Sequence, residues 1–81
     1  MKAKKDITLV ELKAGQSAHI KSIHGGVFIT KRLSDLGLRP GKRVTKISGM
    51  FMRGPVTVKV GSSNIALGFG MANKVFVEVT E

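Results

Sequence analysis

Arg32-Leu33-Ser34-Asp35-Leu36-Gly37-Leu38-Arg39-Pro40-Gly41 is the stretch on which the fold turns. Apolar Ile29, Leu33 and Leu36 recur at the spacing of one helical face, so the residues running into this stretch read as a helix, expected over 27–36. Gly37 then stands where helices commonly end on a left-handed residue, a conformation that costs glycine no Cβ strain. With Leu36 as the C-cap, Leu38 is expected to fold back on Leu33 in a Schellman ending. Pro40-Gly41 forbids further helix and turns the chain.

On both sides of that helix the pattern is β. Upstream, a basic tail over residues 1–6, expected to be mobile, leads into Ile7-Thr8-Leu9-Val10-Glu11-Leu12, where Leu9 and Leu12 suit a plug at one end of a barrel. Ser17 to Ile23 reads as the first strand, with Ala18 and Ile20 on one face and His19 and Lys21 on the other; Ile23 breaks the alternation and predicts a bulge. Gly25-Gly26 releases the chain into the helix. Downstream, residues 42–48 alternate loosely, whereas Val56-Thr57-Val58-Lys59-Val60 alternates cleanly with its valines inward. Between them Gly49-Met50-Phe51-Met52-Arg53-Gly54-Pro55 is bracketed by glycines and reads as a hairpin tip with an apolar centre. Gly61-Ser62-Ser63-Asn64 is a second hairpin turn feeding Ile65-Ala66-Leu67, and Gly68-Phe69-Gly70-Met71-Ala72-Asn73 a short helical turn. Val75-Phe76-Val77-Glu78-Val79 closes the sheet. The expectation is a single, mainly β domain over 1–81: a small barrel of about five strands with one helix inserted after the first.

Composition agrees with that size and class. A domain of 81 residues buries roughly 60% of its unfolded surface, which leaves little room for a deep cleft. The chain has no cysteine, so disulfides, thiolate nucleophiles and zinc knuckles are excluded. The basic start is followed by no long apolar run, and the cytoplasm is the expected location.

Charge is the strongest compositional signal, with 14 Lys and Arg against 5 Asp and Glu giving a formal net charge of +9. Lys31, Arg32, Arg39, Lys42, Arg43, Lys46 and Arg53 stand against the single acid Asp35, so two-thirds of the net charge falls in one third of the chain. An acidic partner is implied: nucleic acid, an anionic membrane surface or an acidic protein face.

The chemistry-bearing residues point away from catalysis. No Gly-x-Ser-x-Gly turn and no recognisable acid/base carboxylate pair is present, and Gly25-Gly26 lacks the Gly-Lys-Ser/Thr ending of a phosphate loop. His19 and His24 have no acid near them in sequence, so no resident metal site and no cofactor are expected; the soft sulfurs of Met50 and Met52 suit copper(I) more than ferrous iron. Single-strand nucleic-acid binding wants aromatics interleaved with cations, and Phe51 and Phe76, the candidates for exposure, lie on different segments.

Leu9-x-x-Leu12-x-x-Gly15, Ile20, Arg32-Leu33-x-x-Leu36-Gly37-Leu38-x-Pro40-Gly41, Gly54-Pro55-Val56, Ile65-Ala66-Leu67 and a terminal Val-x-Val, in this order and at these distances, resemble the FeoA family of ferrous iron transport. The resemblance covers nearly the whole chain. It implies an SH3-like barrel and a small, non-enzymatic cytosolic accessory acting on FeoB, the ferrous iron permease with a cytosolic GTPase domain. On that reading Lys31, Arg32, Arg39, Lys42, Arg43 and Arg53 steer the encounter, and Met50, Phe51 and Met52 form a flexible apolar anchor, a use to which readily repacked methionines are suited. A role for Arg39 or Arg53 as an arginine finger to the partner's GTPase is a lesser possibility. The alternatives are a basic barrel that binds nucleic acid and an interaction module of another pathway.

Overall fold

The computed structural model describes residues 4–48 and 54–80. Among the described residues six strands form one antiparallel sheet: β1 (Lys4–Thr8), β2 (Ser17–Ile23), β3 (Arg43–Ser48), β4 (Val56–Val60), β5 (Ser63–Leu67) and β6 (Val75–Thr80), in the order β1-β6-β2-β3-β4-β5. Helix α1 (Gly26–Asp35) connects β2 to β3, and the single turn α2 (Phe69–Ala72) connects β5 to β6. The domain is thus mainly β, as its patterning predicts, with one strand more than expected.

The additional strand is β1. Its Lys4 to Asp6, expected within a mobile tail, pair with Thr80 to Glu78 of β6. Period-2 patterning gives little warning of this strand, because Ile7 is its one large apolar residue. Backbone pairing and an ionic bridge hold it instead: Lys21 Nζ on β2 reaches across β6 to Asp6 at 3.1 Å and lies 3.6 Å from Glu78.

The helix ends as its sequence dictates. Gly37 has φ +94°, its N–H donates to the Ser34 carbonyl at 2.9 Å, and the Leu38 N–H donates to the Leu33 carbonyl at 2.8 Å, the two bonds of a Schellman motif. Leu33 and Leu38 are both fully buried. Leu36, in contrast, is 43% exposed: as the C-cap it has turned past the core-facing stripe that its spacing suggested.

One apolar core draws on every strand. Leu9, Leu12, Leu33, Leu38, Val44, Val56, Val58, Val75 and Val77 are its largest fully buried side chains, each worth about 1.5–3 kcal/mol relative to exposure. The sheet curls around this cluster at two register shifts, between Ile20 and Ser22 against β6 and between Lys46 and Ser48 against β4. The first is the bulge that Ile23 foretells. Leu9 and Leu12 enter this core from a turn that Thr8 and Glu11 brace reciprocally: the Thr8 N–H donates to Glu11 Oε1 at 3.1 Å and the Glu11 N–H to Thr8 Oγ1 at 3.4 Å.

Candidate functional site: a basic turn beside the helix end

The Schellman ending delivers the chain directly into Arg39-Pro40-Gly41-Lys42. Proline at the second position and a glycine of φ +93° at the third give the signature of a type II turn, which the Lys42 N–H closes by donating to the Arg39 carbonyl at 3.1 Å. The turn is then fastened to β2 from both sides: the Gly41 N–H donates to the Ile20 carbonyl at 2.7 Å, and the Ile20 N–H to the Lys42 carbonyl at 2.8 Å. Arg39 and Lys42 therefore stand on a fixed base. The Arg39 side chain reaches back toward the C-terminal carbonyls of α1, with Nε 3.4 Å from the Ser34 oxygen, where the helix dipole favours a cation.

With Arg43, the first residue of β3, these two cations line a shallow depression of about 390 Å³ together with Leu36, Gly37, Val60, Gly61 and Ser63. A half-exposed leucine and a half-buried valine thus share one depression with three exposed, positively charged residues. Such a surface offers steering by charge and a small apolar contact; its lining includes no carboxylate or imidazole.

The other cations named from sequence fall elsewhere. Lys31 flanks two shallow grooves along α1 together with Asp35, one lined also by Val27 and the other by Phe28 and Arg32. Met50, Phe51, Met52 and Arg53 lie outside the described residues. Lys46, counted in the basic third of the chain, is only 4% exposed and points into the molecule. Its ammonium donates to the Val10 carbonyl at 2.8 Å, tying β3 to the Leu9–Leu12 turn, and burial pushes its pKa below the ordinary lysine value. Lys21 is shifted the other way, its pKa raised by the hydrogen bond and negative charge of Asp6 and, less, by Glu78.

The histidines do not converge. His19 lies in register with Glu78 and Arg43 on the outer sheet face, while the His24 ring lies 4.5 Å from that of Phe76, with Nε2 3.2 Å from Ser22 Oγ. Among the described residues no group of three or more His, Cys, Asp or Glu side chains is placed to hold a metal ion. Phe76, a sequence candidate for exposure, is half-buried under His24.

Sequence reasoning missed a second exposed feature, Val27 and Phe28 on the first turn of α1, which are 80% and 90% exposed. One signal was available: three consecutive apolar residues, Val27-Phe28-Ile29, cannot all lie on the single stripe that Ile29 and Leu33 occupy.

Comparison with known proteins accords with this architecture. The family model described as the FeoA domain matches residues 7–79. A curated protein of Methanocaldococcus jannaschii, named for Fe(2+) transport as protein A, is 35% identical over 69 residues, covering 85% of this chain and 82% of its own. Among solved structures, the crystal structure of an iron uptake regulatory protein, FeoA, superposes with a TM-score of 0.82 at 29% identity, covering 93% of this chain and 99% of that one. FeoA of Stenotrophomonas maltophilia, solved with zinc and described as a prokaryotic SH3 domain protein, is 32% identical with a TM-score of 0.73, covering 93% and 89%.

Proposed function

Because the chain belongs to the FeoA family, whose barrel is SH3-like, we propose that it is a non-enzymatic accessory of ferrous iron uptake that binds a FeoB-like permease on its cytosolic GTPase domain and modulates it. The observation that carries this reading is the convergence of Arg39, Lys42 and Arg43 around exposed Leu36 on a turn fixed by hydrogen bonds at both ends. A pre-formed turn spends little backbone ordering entropy on association, and its cations raise the encounter rate with an acidic face. Lys31 and Arg32 add to the long-range field, and Met50, Phe51, Met52 and Arg53, outside the described residues, are assigned to partner binding on the strength of their sequence alone.

Surface-immobilised kinetics against the isolated GTPase domain test the proposal. Arg39→Glu with Lys42→Glu is expected to slow association by about tenfold or more at low salt, and raised salt to mimic that loss on the wild type. Leu36→Ser and Phe51→Ala are expected to act mainly by speeding dissociation, as loss of an apolar anchor does. Association indifferent to charge reversal, or tighter retention of a random-sequence RNA at matched salt, would overturn the reading in favour of a nucleic-acid-binding barrel.

A further inference from the structure

The first turn of α1 carries its apolar residues on the outside. Val27 is 80% and Phe28 90% exposed, and they follow Gly25 and Gly26, which have no side chain to shield them. A single protruding phenylalanine is unremarkable on a surface; an adjacent pair at the tip of a helix, with cations in the next turn, is a pattern.

The order of residue types along the helix gives that pattern a direction. Residues four apart share a face, so Lys31 stands one turn behind Val27 and Arg32 one turn behind Phe28. Asp35, the helix's one acid, is a further turn back, and no acid occurs in the first turn. From its N-terminal end α1 therefore reads apolar, then cationic, then anionic. A third cation joins at the tip: a Cβ built on Gly25 would come within 3.0 Å of Lys74 Cδ, so the aliphatic stem of Lys74 lies across that glycine.

We infer that this end of α1 is a membrane-touching element, with Val27 and Phe28 entering the interface of an anionic lipid bilayer while Lys31, Arg32 and Lys74 engage its headgroups. The observations favour a lipid surface over a protein groove. Val27 and Phe28 stand almost fully exposed and line only open grooves along α1, and a fluid interface accommodates such side chains without an enclosed pocket. The long cationic side chains behind them can stay at headgroup level while their stems follow the apolar pair. The formal net charge of +9 adds attraction to anionic lipid at long range, and Asp35 stands two turns behind Val27 along the helix. The element is separate from the Arg39–Arg43 depression, so one domain can touch lipid and a protein partner at once.

The chain contains neither Trp nor Tyr, so the Phe28→Trp variant of the full chain carries a single reporter at the place in question. Its emission is expected to shift to the blue with vesicles of equimolar phosphatidylglycerol and phosphatidylcholine, and to stay unchanged with phosphatidylcholine alone. In co-sedimentation on the anionic vesicles, Val27→Ser with Phe28→Ser is expected to reduce retention by about tenfold with no change in net charge, and Lys31→Glu with Arg32→Glu to reduce it at least as much. Absence of a shift, or retention that survives the paired serines, would overturn the inference, the latter leaving only a diffuse attraction of a basic protein. A shift produced by the permease GTPase domain but not by vesicles would also overturn it and assign the pair to a protein contact. No permease is present in the vesicle arms, so failure there leaves the proposed accessory function untouched.

Discussion

At the C-terminal end of α1 the amides of Gly37 and Leu38 are bonded to Ser34 and Leu33, and both leucines of the motif are buried; at the N-terminal end no side chain caps the helix, and Val27 and Phe28 face outward. The same ten-residue helix is thus closed into the fold at one end and open at the other. The difference separates two uses of apolar residues. Leu33 and Leu38 hold the helix to the sheet and fix the departure of β3, and through it the basic turn. Val27 and Phe28, almost fully exposed, contribute little to stability and are free to serve a contact outside the fold.

Substitutions at the two ends should therefore separate in size. Leu38→Ala removes a fully buried side chain from the Schellman contact and should cost about 2–5 kcal/mol, enough to lower the thermal midpoint by roughly 10 °C or more. Gly37→Val should cost about 1–3 kcal/mol. A Cβ at Gly37 would meet Val60 Cγ1 at an ordinary 3.8 Å, so this cost is conformational, arising from φ +94°. A midpoint unchanged by Gly37→Val would break the assignment of the closed end. Phe28→Ser should change stability by no more than about 0.5 kcal/mol, and a loss comparable with Leu38→Ala would show that the open end belongs to the fold after all. Thermal unfolding followed by circular dichroism reads all three.

The closed end was legible from sequence because each of its parts is chemically distinctive: a helical stripe, a glycine at C′, a leucine at C″ and a Pro-Gly turn. The valine-rich strands and the Leu9–Leu12 turn were legible for the same reason. β1 was not, since Lys4-Lys5-Asp6-Ile7-Thr8 shows no apolar alternation and is held by partners distant in sequence, Glu78 and Lys21. The open end was hidden by its hydrophobicity, because a phenylalanine turned outward has the same letter as one turned inward. Lys46 shows the converse: among neighbouring cations it read as surface charge, yet the pleat that buries Val44 also carries Lys46 inward to the Val10 carbonyl. As for the basic site, sequence identified its residues but not their grouping, which depends on the Arg39–Lys42 turn being fastened to Ile20.

If the partner protein is met at the basic turn, beside the closed end of α1, an amide-resolved NMR titration of the isotopically labelled chain with the cytosolic GTPase domain of a FeoB-like permease will show it. The predicted result is a footprint centred on Leu36, Arg39, Lys42, Arg43 and Gly61, with the Val27 and Phe28 amides unmoved. A footprint on Val27 and Phe28 with the turn silent, or no footprint at concentrations that saturate the domain, would contradict it.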